Sequence, residues 1–484
     1  MDYNIEANFY GAGSSNHLEL FAPYFATIYS LQSECEARAR SPDWSVPGRA
    51  PVPSLGPNTY GFECGHHAHN GIESDNGCPR GYGNFSGLAL VNGIGPYAFQ
   101  RLFHDDSDRF TAALAATPMK QYWEYSQDKS FLNRSYDWVK GSAEFYESYV
   151  RRNAHTGALD IPFGCGEEGC TLRNPDCCPN AHQPDQTNNS MADLALARMI
   201  LKMASEYATI LGRDRDRVAA WLAVADGLAE YPTTMDPLSG AEVFAEATDA
   251  DRNTSLAFGA NLEEPMLYLT AVYPAEQIGR RRHGAPPTAA EERLWTTANS
   301  TLFGIAEYTR RWAGHGAWAP LNGLCQLWPP VARLIERESS AAMLDIFTET
   351  LERQMFNNFY PHLDGGGLEQ AGAVGVINEM MLATDLSAGF LEFFPLWPAG
   401  EAASFVSLRA KGAFVCSGAV GADGVVGDIS VLAERGGNMS FASPWNTAAP
   451  RVITAAGVPV RVESEGGGVF RAPVVAGQRY TIKP

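Results

Sequence analysis

The chain has 484 residues, with 55 Asp or Glu against 36 Lys or Arg, a formal charge of -19 at pH 7. A field of that sign disfavours duplex nucleic acid and anionic membrane surfaces as partners, and the short Arg280-Arg281-Arg282-His283 run is the basic cluster set against it. The hydrophobic share of 45% supplies a core, while no apolar run reaches the roughly 18 residues of a membrane span, and the opening residues lack the pattern of a signal peptide.

Asp2 to Tyr10 mixes polar and aromatic residues without helical periodicity and begins as though something preceded it. Leu18, Phe21, Tyr24, Phe25, Ile28 and Leu31 then recur near helical spacing, which predicts a helix from Asn16 to about Arg38. From Ser41 to about Arg101 the composition turns to Pro, Gly, Asn and His, and includes His66-His67-Ala68-His69. A loop of that length in a compact protein is functional or disordered. Adjacent His66 and His67 do not point the same way on a regular element, so they read as hydrogen-bonding groups of a polar cleft in preference to a metal site.

Helical patterns return at 110–125 and 133–150, the second with the aromatic stripe Trp138, Phe145, Tyr146 and Tyr149. Between them and the next helix lies Phe163-Gly164-Cys165-Gly166-Glu167-Glu168-Gly169-Cys170, paired carboxylates hemmed in by glycine and cysteine, a candidate catalytic loop. Four of the nine cysteines crowd here, as Cys165, Cys170, Cys177 and Cys178. Cys-x2-Cys pairs of zinc spacing are missing, and disulfides and free thiols both stay open. Ser190 reads as the cap of a helix whose third residue, Asp193, is acidic. Further helical patterns cover about 214–229, 263–272, 288–313, 321–336 and 339–359, an all-α body to about residue 390. Six Asn-x-Ser/Thr sequons, at Asn84, Asn133, Asn188, Asn253, Asn299 and Asn438, are glycan acceptors if the protein is exported.

The stretch His362-Leu363-Asp364-Gly365-Gly366-Gly367-Leu368-Glu369-Gln370-Ala371-Gly372 carries two carboxylates around a triple glycine, and an apolar helical pattern follows at once. Glycines permit close backbone approach, and a helix start offers free N–H groups and partial positive charge to a carboxylate, which singles out Glu369. Beyond Phe394-Pro395-Leu396-Trp397-Pro398 the texture changes to short Val-rich stretches broken by Gly, the pattern of a small β-sandwich, with the boundary near 398–404.

Gly367-Leu368-Glu369-Gln370-Ala371-Gly372-Ala373, Glu379-Met380-Met381-Leu382, Phe394-Pro395-Leu396-Trp397-Pro398 and Leu408-Arg409-Ala410-Lys411-Gly412-Ala413-Phe414 resemble the end of the catalytic domain and the C-terminal β-domain of family-95 glycoside hydrolases. The resemblance implies a mainly α fold. It consists of an (α/α)6-barrel catalytic domain over 1–400, lacking an N-terminal β-domain, and a β-sandwich over 401–484. It implies an inverting exo-glycosidase without a cofactor or metal, acting on an oligosaccharide or glycoconjugate that ends in L-fucose or a related L- or D-galactose unit. The alternative is a carbohydrate-binding remnant of the same fold that does not cleave.

The same resemblance assigns residues. Asp2-Tyr3-Asn4-Ile5-Glu6-Ala7-Asn8-Phe9-Tyr10 is similar to the family's Asn-rich motif that orients the attacking water, a role that falls to Asn4, with Asp2 in place of a paired asparagine. Glu168, with Glu167 as fallback, stands where the family carries its general acid. Glu369 stands at its general base, in Leu-Glu-Gln-Ala-Gly where the family has Asp-Gly-Asn-Phe-Gly, and Asp364 is the runner-up. Such a pair works from opposite sides of the scissile bond: one carboxyl protonates the leaving oxygen and the other activates water. His66, His67, Trp318 and Asn322 are candidates for the sugar pocket, alongside Asp364. Glu263-Glu264-Pro265-Met266-Leu267-Tyr268, leading to Tyr273-Pro274, replaces a His-Arg-His-rich family motif, a departure that bears on sugar specificity.

Overall fold

The computed structural model describes residues 3–40, 86–88, 93–95, 99–101, 110–162, 187–249, 254–259, 262, 265–312, 323–354, 368–386, 389–445 and 449–484. It is helix-rich with a C-terminal sheet region. The helices are α1 (Tyr3–Glu6), α2 (Phe21–Arg40), α3 (Thr111–Leu114), α4 (Thr117–Ser126), α5 (Lys129–Tyr149), α6 (Met191–Leu211), α7 (Arg215–Gly227), α8 (Met266–Leu269), α9 (Ala289–Trp312), α10 (Leu324–Leu334), α11 (Ser340–Gln354) and α12 (Gly375–Met381). Two compact units emerge: Met1–Glu6, Ala22–Lys120 and Lys129–Ala275 form the first, and Ala7–Phe21, Gln121–Asp128 and Glu276–Pro484 the second. Among the described residues no helix is long and apolar enough to cross a membrane.

In the first unit α5, α6 and α7 pack together and α3 rests on α5 and α6. The aromatic stripe of α5 is core, as the helical period requires: Trp138, Phe145, Tyr146 and Tyr149 are all buried. Their polar ends find partners, with Trp138 Nε1 donating to Ala112 O at 3.0 Å, Tyr149 Oη to Pro162 O at 2.8 Å and Tyr146 Oη to Asp193 Oδ1 at 3.4 Å. Helix α6 starts where its cap predicts, with Ser190 Oγ accepting from Asp193 N at 3.0 Å and donating to Asp193 Oδ2 at 2.9 Å. The expected all-α body is interrupted by short strand pairs, among them Thr233–Met235 with Glu242–Phe244 and Thr187–Asn188 with Thr248–Asp249. Two- and three-residue strands are too short for an alternating pattern to register in sequence.

The second unit holds two sheets. One has five strands in the order Leu382–Thr384, Leu391–Phe393, Gly437–Ala442, Val469–Val474, Glu463–Gly466; the other has six, Ala403–Ala410, Phe414–Val420, Ile429–Ala433, Gln478–Lys483, Arg451–Thr454, Pro459–Val460. Both contribute to a single apolar cluster: Leu391, Phe393, Met439, Phe441 and Ala472 from the first, Phe405, Cys416, Ile429, Val431, Tyr480 and Ile482 from the second. The five-stranded sheet begins at Leu382, directly after α12.

Charged groups tie this unit together. Arg333 of α10 lies 2.8 Å from Glu276 and 2.7 Å from Glu379 of α12. Lys411 lies 2.6 Å from the other Glu276 oxygen and 2.9 Å from Glu124. Burial works against the Lys411 charge, but Glu124 and Glu276 outweigh it and hold the ammonium above its ordinary range. Arg409 Nη1 and Nη2 grip both Glu434 oxygens, at 2.6 and 2.8 Å.

Glu392 is the second charged feature of the unit. It sits in the strand Leu391–Phe393, only 3% exposed, with Arg282 Nη1 at 3.7 Å and His283 Nε2 at 3.9 Å. Arg282 also donates through Nη2 to Ala332 O and Ile335 O, the carbonyl end of α10. Burial dominates over Arg282 and, with Asp385 nearby, pushes the Glu392 carboxyl up to about 7. Burial and Arg282 also push His283 down, against Asp385. The folded chain therefore holds the Glu392 proton more tightly than the unfolded chain, whose ordinary value is 4.5. That contribution is complete below pH 4.5 and is lost as pH rises through about 7. At about 1.4 kcal/mol per pKa unit, wild type is expected to lose on the order of 3 kcal/mol across this window that Glu392→Gln keeps. Urea unfolding of both proteins at pH 4.5 and pH 8 measures the difference, and parallel pH profiles would contradict it.

Candidate active site

Of the candidate residues, Asn4 and Glu369 fall within the described residues. His66, His67, Glu167, Glu168, Trp318, Asn322 and Asp364 lie outside them, as do Asp2 and the cysteines Cys165, Cys170, Cys177 and Cys178. Those seven candidates are thus not brought together with Glu369 or Asn4 by any observed geometry. Among the described residues no group of three or more His, Cys, Asp or Glu is arranged to hold a metal ion.

Glu369 is buried, 7% exposed, between Leu368 and Val374, both of which face solvent. It lies on a 3₁₀ segment, Leu368–Val374, and α12 starts only at Gly375. The sequence pattern instead predicts a helix running directly on from the glycines, with Glu369 at its positive end. Close backbone packing accounts for the difference. A Cβ on Gly372 would stand 2.4 Å from Ala7 O, too close for any side chain, while Gly375 and Gly11 meet at ordinary van der Waals distance. The tighter 3₁₀ winding fits the segment under the 7–11 backbone, where i to i+3 bonding replaces the α pattern.

Side chains hold the same segment. Gln370, 1% exposed, accepts through Oε1 from Cys325 N at 3.3 Å, which supplies a partner at the start of α10, where the capping residue Gly323 has no side chain. Asn378 of α12 donates through Nδ2 to Ser14 Oγ at 2.9 Å and to Ser15 Oγ at 2.8 Å. Ser14 Oγ in turn donates to Gly11 O at 3.2 Å, and Ser14 O accepts from Arg409 N at 2.9 Å. Residues 7–17 are thereby stitched to α12 and to the strand Ala403–Ala410 within the second unit.

Asn4 is half-buried on α1, a turn that the opening residues do not advertise in sequence. Its neighbours Tyr3 and Glu6 are fully buried. The Tyr24 hydroxyl of α2 stands 2.8 Å from Glu6 Oε1 and 2.9 Å from Ala115 O, so Glu6 anchors the turn that carries Asn4 within the first unit. Glu6, Gln370, Ser14 and Asn378 were not singled out by sequence. Glu6 stands two residues after Asn4 in the same motif, a signal that was available; Asn378 in an apolar helical pattern was another.

Residues 107–361 match the model of the glycosyl hydrolase family 95 catalytic domain, more than half of the chain. The chain belongs to glycosyl hydrolase family 95. In this family-95 chain the matched span contains the loop of Glu168, while Asn4 and Glu369 fall on either side of it. No curated protein sequence matches the chain.

Among solved structures, the chain is similar to the α-L-rhamnosidase from Dictyoglumus thermophilum, with 11% identity and a TM-score of 0.36, over 77% of this chain and 39% of that one. It is similar to the Streptomyces avermitilis α-L-rhamnosidase complexed with L-rhamnose, with 12% identity and a TM-score of 0.37, over 76% of this chain and 32% of that one. For the GH78 family rhamnosidase of Bacillus sp. GL1 the values are 15% and 0.34, over 64% and 30%. The family-95 chain thus spans less than two fifths of the length of each of these proteins.

Proposed function

We propose that this family-95 chain is an inverting exo-glycoside hydrolase that releases a terminal sugar, L-fucose or a related L- or D-galactose unit, from an oligosaccharide or glycoconjugate. The family-95 catalytic-domain match carries the reading. The burial of Glu369 on a tethered segment supports its part in the chemistry. Residues 1–400 are proposed as an (α/α)6-barrel catalytic domain and 401–484 as a β-sandwich; two sheets sharing one apolar cluster support the sandwich, and one of them takes its first two strands, Leu382–Thr384 and Leu391–Phe393, from before residue 401.

In the proposed reaction the Glu168 carboxyl gives its proton to the leaving glycosidic oxygen as the bond to the anomeric carbon breaks. The Glu369 carboxylate accepts a proton from the attacking water, oriented by Asn4, as the new C–O bond forms on the opposite face. An oxocarbenium-like transition state joins the two events, and the product has inverted anomeric configuration. The acid must stay protonated and the base ionised at one pH, which asks for different surroundings for the two carboxyls. No cofactor takes part.

Release of 4-nitrophenol from a panel of aryl glycosides, α-L-fucoside and both L- and D-galactosides included, tests the reading. One responsive sugar is expected for wild type, with the product anomer inverted by NMR, and Glu168→Gln and Glu369→Gln are expected to cleave it at least about 100-fold more slowly. A folded wild type that cleaves none of the panel, or a retained anomeric configuration, would overturn the proposal.

A further inference from the structure

General-base catalysis depends on where the carboxylate is held: a displacement of about 1 Å can cost on the order of 100-fold in rate. A 3₁₀ segment has poorer hydrogen-bond geometry than an α-helix and depends more on outside contacts for its shape. The segment Leu368–Val374 receives such contacts on several sides, from Cys325 N, from the Ala7 carbonyl, and through α12 from Ser14 and Ser15.

Helix α12 by itself gives no reason for an asparagine at 378. Its neighbours Val376 and Met380 are buried and apolar, and Asn is a weaker helix former than Leu or Met. Asn378 is itself only 8% exposed, and its amide points at two hydroxyls from a segment more than 360 residues away in the chain. Gln370 is more deeply buried and directs its carbonyl at a helix start that has no cap of its own. Both amides bind partners outside their own element, Gln370 directly after the residue read as the base and Asn378 on the helix that follows its segment.

We propose that Asn378 and Gln370 are positioning residues for the Glu369 carboxylate, pinning the 3₁₀ segment to residues 14–15 and to the start of α10. This rests on the reading of Glu369 as general base. Asn378 acts through the tether to Ser14 and Ser15, and Gln370 through the Cys325 amide.

Steady-state kinetics on the responsive aryl glycoside, with thermal unfolding, would compare wild type with Asn378→Leu, Gln370→Leu and the double variant Ser14→Ala/Ser15→Ala. The expected result is a fall in kcat of roughly 10- to 100-fold, KM within about threefold, and a shifted acid limb of the kcat–pH profile. Asn378→Leu, the Ser14/Ser15 variant and their combination should lower kcat to a similar extent, because all remove the Asn378 Nδ2 bonds to Ser14 and Ser15; the serine variant loses in addition the Ser14 Oγ bond to Gly11 O. Lower thermal stability with kcat per folded enzyme and pH profile unchanged would mark the contacts as merely structural and overturn the proposal. If Asn378→Leu does not fold, the Ser14/Ser15 variant decides, since it removes those bonds from the other side. The underlying reading fails differently, through Glu369→Gln retaining wild-type kcat; the positioning proposal fails when Glu369→Gln is inactive and the tether variants turn over at full rate.

Discussion

Replacing Glu369 with Gln is expected to lower kcat on the responsive glycoside by about 100- to 10,000-fold, the range associated with loss of a general acid or base. Gln has nearly the volume and polarity of Glu, so the buried position between Leu368 and Gln370 stays filled and the thermal midpoint should move little. What the amide cannot do is take a proton from water. The acid limb of the kcat/KM–pH profile, which reports ionisation of the base, should vanish with it. Steady-state kinetics between pH 4 and 9 checks both. Retained activity would pass the role to Asp364, five residues earlier in the chain.

Arg333→Ala is expected to destabilise the protein by about 3–5 kcal/mol, the cost of removing one partner from a buried ion pair. Arg333 is 7% exposed and stands between Glu276 and Glu379, of which Glu276 is 5% exposed. With Glu124 and Lys411 these form a group of three carboxylates and two cations. Without Arg333, Lys411 is the one cation of this group left against its three carboxylates, and burial limits the solvation that an exposed carboxylate would receive. Burial, then Glu379 and Glu276, push the nearby Tyr125 hydroxyl far above its ordinary range. Urea unfolding measures the change. A loss below about 1 kcal/mol would mean that the pairs contribute no more than exposed ones. Adding Glu379→Gln to Arg333→Ala should recover part of the loss, because it removes the uncompensated charge that Arg333→Ala leaves behind.

The long helices were legible in the sequence because each satisfies local rules that its packing later uses. The cap at Ser190, with Asp193 three residues on and Leu196, Met199, Ile200 and Met203 at helical spacing, puts the start of α6 in view, and the helix runs from Met191 to Leu211. The change of texture past residue 400 reads as sheet, and two sheets stand there, one of them drawing its first two strands, Leu382–Thr384 and Leu391–Phe393, from before that point. Glu392 escaped this kind of reading. Alternation would turn it to the face opposite Leu391 and Phe393, and solvent would be its natural place; all three are buried because both faces of that short strand are covered.

Glu369 was singled out from its glycine-rich setting alone, but the conformation expected for it was not the one adopted. A local pattern records the period of a segment and the residues able to cap it, which is why glycines and a following apolar stripe suggested a helix start. It does not record what will lie against that segment. Ala7 O stands where any side chain at 372 would go, and Ser14 and Ser15 meet Asn378 across the whole length of the family-matched sequence between them. By itself, then, the sequence determined the long helices, the extended stretches past residue 400 and which carboxylate to examine first, because those depend on neighbours a few residues apart. Only the tertiary structure decided that Glu369 sits on a tethered 3₁₀ segment, that Arg333 joins Glu276 to Glu379, and that Glu392 is buried beside Arg282. Each of these depends on backbone and charge brought together from distant parts of the chain, where burial removes the water that would otherwise weaken them.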